Sequence, residues 1–303
     1  MSEHLTHIAV YEDCASMVMN SSRFTEAFRT CLKNQYDSGM FASGTRGNHL
    51  WAIPILEKYR DNWKKEETNE KIQQQIAAAI GWITHRASDL QMKPLWREMK
   101  AKDPGFNDYE MQIYHDAVTF REVYMGGKLS TKSPYEKIAP ATLETGMASL
   151  PASNYLNVNI LEPLLTFMWQ REFAELHQYV ADKDDPDIWI DKFINNHQPL
   201  TEDLRIYIEA FQHPDPEKME RYIYSFNQYN PEDEIIQYVR GIQRNTPVNH
   251  INLENAVKKA EKQSQYAQAL WKGYTFLSAA SDFFDNILEK DKLLITLDIT
   301  SGD

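Results

Sequence analysis

Imidazole is the commonest side-chain ligand of transition metals, and four of the chain's nine histidines, His7, His49, His85 and His115, lie on or next to predicted helices of the first 120 residues. The segment Gly81-Trp82-Ile83-Thr84-His85-Arg86-Ala87-Ser88-Asp89 sets a histidine and an aspartate four residues apart. On a helix that spacing stacks both side chains on one face, so the pair can hold one ion together; the same pair also makes a plain hydrogen bond. His49 shares a face with Ile53 and Leu56 and points inward, where its nitrogens need a backbone partner or a metal. His115 and Asp116 lie in a helix with a polar middle, Glu110 to Glu122, and Glu122 falls on the face of His115. His7 stands ahead of the first helix that the periodicity marks. Inward histidines and carboxylates contributed by several helices are how bundles build metal sites.

Such donors are positioned by helices, and the chain is rich in helical signals. Glycine is scarce, 11 in 303 residues, and apolar residues recur at three and four. Phe24, Ala27, Phe28, Cys31 and Leu32 form one stripe, and a second helix is expected from about Asn48 through Trp63, kinked or starting late at Pro54. The stripe Ile72, Ile76, Ile80, Ile83, Ala87 and Leu90 predicts a helix over 68–92, limited by Pro94. Ala78 and Gly81 precede His85 and Asp89 on their face, and their small size lets another helix or a ligand come close.

A helix over 107–125 should stop at Gly126-Gly127, and 128–153 reads as a long ordered loop. Further helices are expected at 155–181, 186–195, 200–212, 215–227, 231–244 and from Asn252 to about Glu289, with a strand-like tail at Leu293 to Leu297. The expected architecture is all-α: one compact multi-helix domain over 1–303 with an interhelical pocket in the N-terminal half. Residues 1–127 form the candidate metal-binding core, 128–153 a pocket rim, and 154–303 additional helices.

A formal charge of −12 disfavours duplex nucleic acid as a partner, since an anionic surface repels phosphates, but it is compatible with bound divalent cations. Two cysteines, Cys14 and Cys31, are too few for a disulfide scaffold. Glu3, Glu12 and Asp13 interrupt any secretory leader, and no transmembrane stretch is visible, so the chain reads as cytoplasmic as given, or as secreted or periplasmic if a leader was removed.

An early histidine (His7), a second after the loop Phe41-Ala42-Ser43-Gly44-Thr45-Arg46-Gly47-Asn48-His49, the helical Gly81-Trp82-Ile83-Thr84-His85-x-x-x-Asp89, and a later helical His115 resemble the zinc-dependent phospholipase C and P1 nuclease group. The resemblance covers roughly the first 125 residues. It implies an all-helical fold, one or two zinc ions or another divalent metal, and hydrolysis of a small-molecule or lipid phosphate ester. It also implies metal ligation by His7, His49, His85, Asp89, His115 and Asp116, with Asp37 orienting a water. Where that group carries a further histidine after the aspartate, this sequence has Lys93-Pro94. Two other readings stand beside it: an HD-type phosphohydrolase built on His115-Asp116, and a non-catalytic helical binding protein that kept the fold without a full metal site.

Overall fold

A computed structural model describes residues 4–44, 49–103, 105–125, 206, 209–210, 213–246, 248 and 250–299. The expected loop at 128–153, the helices at 155–181 and 186–195, the Gly126-Gly127 stop and most of 200–212 lie outside the described residues. The fold is all-α: every regular element among the described residues is helical, twelve α-helices and one π-helical turn. Contacts divide the chain into two compact units, described separately below.

The larger unit comprises the described residues of 7–104 and 226–303. At its centre lies α6, Glu70–Lys102, whose 33 residues span about 50 Å. Asn69 caps it by accepting the Ile72 N–H, and Ile72, Ile76, Ile80, Ile83 and Ala87 are buried as the periodicity requires. The helix runs on through Pro94, eight residues beyond the expected limit at Pro94. Pro94 stands on the exposed side, where the carbonyl left unbonded by its missing N–H can turn to water.

Packed on α6 are α2 (Glu26–Asn34), α3 (Tyr36–Gly44), α4 (His49–Arg60) and α11 (Gln265–Phe284). The small face of α6 admits α3 at van der Waals range: a Cβ on Gly81 would lie 1.9 Å from the Gly39 carbonyl oxygen. Here the close approach expected of Gly81 is realised by a helix. The first helix, α1 (His4–Met19), lies ahead of any helix the periodicity marks. It is buried on nearly every side, with Ala9, Val10, Tyr11, Cys14, Ala15 and Met17 at 0% exposure, so it has no polar face to give it a helical period. Its Asp13 carboxylate receives the Arg240 guanidinium and, at 2.7 Å, the Tyr266 hydroxyl, which ties α1 to α9 (Glu234–Gln243) and α11.

The short α5 (Trp63–Glu66) follows α4. The single helix expected from Asn252 is two, α10 (Leu253–Ala260) and α11. Ser264 breaks it, capping α11 through the Ala267 N–H while its own N–H and hydroxyl donate to Asp233. The tail read as strand-like is helix α12 (Lys290–Thr296), and Arg86 donates to the carbonyls of Leu297 and Asp298 at its end. Both cysteines are free and buried; burial pushes the Cys31 thiol up to about 12 and raises Cys14 as well, so neither is poised as a nucleophile.

The smaller unit joins the described residues of 3–6 and 105–225. It contains α7 (Asp108–Glu122), α8 (Pro216–Met219) and the π-turn Glu220–Tyr224. Lys218 bridges Glu110 at 2.6 Å and Glu209 at 2.7 Å, and the hydroxyls of Tyr222 and Tyr114 donate to the same two carboxylates. No helix among the described residues is long and apolar enough to cross a membrane.

Candidate metal centre

One group of three or more histidine, cysteine and carboxylate side chains converges among the described residues: His7 of α1 with His85 and Asp89 of α6. One ligand atom from each lies within 4.8 Å of the others. The four-residue spacing on α6 places His85 and Asp89 together, as expected, and α1 supplies His7 from across the helix pair. His7 Nε2 is 3.2 Å from Asp89 Oδ1, His85 Nε2 is 3.4 Å from Asp89 Oδ2, and the two imidazole rings lie 4.3 Å apart, centre to centre.

His85 Nδ1 is 2.9 Å from the Ser43 carbonyl near the end of α3. A carbonyl only accepts, so Nδ1 carries the proton, and a neutral ring turns the lone pair of Nε2 towards the carboxylate. Two acceptors so close call for positive charge between or beside them. Lys93, one turn after Asp89 on α6, brings an ammonium to Asp89 Oδ2. Burial, followed by the nearby His7, lowers the His85 pKa despite Asp89. Burial alone would raise Asp89, but its neighbours, led by the His7 hydrogen bond, outweigh it and hold the carboxyl well below the usual carboxylate range.

The donor set could hold a metal ion. With bonds of about 2.0–2.2 Å, the ligand atoms of a tetrahedral site lie roughly 3.3–3.6 Å apart, and the two nitrogen–oxygen separations are already close to that. The Nδ1–H to carbonyl contact is the outer partner that aims a ligating imidazole and fixes its tautomer.

Of the other expected site residues, His115, Asp116 and Asp37 are not part of this group among the described residues. His115 and Asp116, both buried, belong to the smaller unit. His115 Nε2 lies 2.9 Å from the Tyr222 carbonyl. Asp116 Oδ1 accepts the Thr6 N–H and hydroxyl, each at 2.9 Å, and its Oδ2 accepts the Leu5 N–H at 3.3 Å. The carboxylate therefore caps α1 from a distance in sequence, where free amides and the helix dipole favour an anion. The adjacent histidine and aspartate of the HD-type reading are engaged in these contacts. Asp116→Ala should cost about 2 kcal/mol, measured by chemical denaturation; an unchanged midpoint would contradict the capping role.

Asp37 is exposed in the first turn of α3, outside the converging group. His49 opens α4, and its side chain lies outside the described residues. Two participants went unnoticed in sequence. Lys93 stands at the i,i+4 position from Asp89, a legible signal; the Ser43 carbonyl has none, because its contact spans 42 residues. Compared with protein-family models, with curated proteins and with solved structures, the chain matches none.

Proposed function

We propose that the chain is a metal-dependent hydrolase of small phosphate esters, holding one divalent ion, zinc in the first instance, between His7, His85 and Asp89. The observation that carries the reading is the convergence of two imidazole nitrogens and a carboxylate within 4.8 Å in a largely buried setting. The chemistry an ion supplies in such a site is activation of water near neutral pH and polarisation of a phosphoryl oxygen.

The protein's own contributions follow from the geometry. His7 and His85 would ligate through Nε2, and the Ser43 carbonyl keeps the His85 ring aimed by holding its Nδ1–H. Asp89 supplies the anionic ligand, kept ionised by its neighbours. Burial of His7 and His85, at 1% and 8% exposure, keeps the ligand atoms away from competing water. The −12 charge and the small size of the cluster favour a small ester over a polyanionic duplex.

Metal analysis of purified, untagged protein from metal-replete medium should find about one equivalent of a divalent transition ion per chain. Turnover of bis-p-nitrophenyl phosphate should disappear on chelation and return with zinc. Less than about half an equivalent of metal, or hydrolysis indifferent to chelator, would overturn the reading. The Lys93 ion pair to Asp89 favours a second reading, a helical binding protein in which the triad is a hydrogen-bonded packing element. A metal-free protein with no turnover is its signature.

A further inference from the structure

The geometry points to Lys93 as an anion-binding residue: a cation stationed on Asp89 in the ion's absence and released to receive a substrate phosphate oxygen in its presence. This rests on the metal reading above and names what an open coordination position there would face.

Asp89 Oδ2 is shared by His85 Nε2, at 3.4 Å, and the Lys93 ammonium, so one unit of positive charge already sits where the cluster is short of it. The side chains of His7 and His85 are 1% and 10% exposed, Asp89 17% and Lys93 39%. Exposure therefore rises towards Lys93, which marks the solvent side of the group and the side from which a ligand reaches it.

A divalent ion at Asp89 and an ammonium on the same carboxylate repel strongly at a few ångströms. Lysine carries its charge as a compact point on a flexible four-carbon stem, so it can leave Oδ2 without moving α6. Displaced, the ammonium stays tethered one helical turn from Asp89, beside the solvent-facing coordination position. The ligand matching a metal ion and an adjacent ammonium is a small oxyanion, and inorganic phosphate is its simplest form.

The test compares wild-type protein with Lys93→Met and Lys93→Arg. Methionine is a good helix former and covers the same apolar stem contacts, so the helix is retained. Chelator competition should show Lys93→Met binding zinc about tenfold more tightly, because the competing charge is gone. Calorimetric titration of the zinc-loaded proteins with inorganic phosphate should show binding about tenfold weaker in Lys93→Met, and largely restored in Lys93→Arg. Zinc affinity that is unchanged or weaker in Lys93→Met overturns the inference, as does equal phosphate affinity or none in the wild type. Zinc bound equally by both proteins removes the role of Lys93 alone; zinc bound by neither removes the metal reading and this inference with it.

Discussion

Replacing His85 by alanine should lower the metal content of the purified protein from about one equivalent to below about 0.1 per chain, with a loss of affinity of more than about a hundredfold. The argument is geometric. His85 meets three members of the candidate centre: its Nδ1 lies on the Ser43 carbonyl, its ring against His7, and its Nε2 faces Asp89. Its removal would take away one of three candidate ligands and the link to α3, leaving His7 and Asp89 as a pair. Alanine also empties a buried volume, so the measurement needs a companion that preserves shape. Asp89→Asn keeps the size and the hydrogen-bonding capacity but removes the anion, and it should lose metal comparably while circular dichroism shows the helical fold retained. Metal retained at full stoichiometry and affinity in both variants would contradict the centre.

A second large effect is expected far from any chemistry. Gly81→Ala should destabilise the protein by about 3 kcal/mol or more, lowering Tm by roughly 6–12 °C. The methyl group would fall 1.9 Å from the Gly39 carbonyl oxygen and 2.9 Å from its Cα, and backbone cannot rotate away as a side chain can. α3 must move off α6, and α3 carries the Ser43 carbonyl that orients His85. Gly44→Ala, at the end of α3, is the control. Among the described residues a Cβ there would meet Ile8, at 3.4 Å, which is ordinary contact, and alanine is the better helix former. The change should be within about 1 kcal/mol. Equal stability of Gly81→Ala and wild type in a thermal melt would mean that the helix crossing is looser than described.

What the sequence made legible were the features set by local spacing. The isoleucine stripe of α6, the pairing of His85 with Asp89 and the smallness of Gly81 are properties of one helix, readable from residues three and four apart. Each partner of those features was hidden, because it comes from a distant segment. Gly39 meets Gly81, and Ser43 meets His85, across gaps that carry no periodic signal. His7 shows why. Its helix is buried almost all round and so lacks an amphipathic pattern, and its first turn is capped by Asp116, 110 residues from Thr6. The same cap explains why Asp116 looked like a ligand: a buried aspartate beside a histidine has the composition of a metal site whether its oxygens face an ion or the end of a helix. The tail at Leu293–Leu297 misled in the opposite way, its apolar run being helical because α11 and the Arg86 guanidinium receive it.

Anomalous diffraction at the zinc edge, from crystals grown in the presence of zinc, tests the central proposal most directly. It should reveal one strong peak about 2.0–2.2 Å from His7 Nε2, His85 Nε2 and a carboxylate oxygen of Asp89, with the Lys93 ammonium withdrawn from that carboxylate. A map with no peak between these three side chains, and with Lys93 still seated on Asp89, would contradict it.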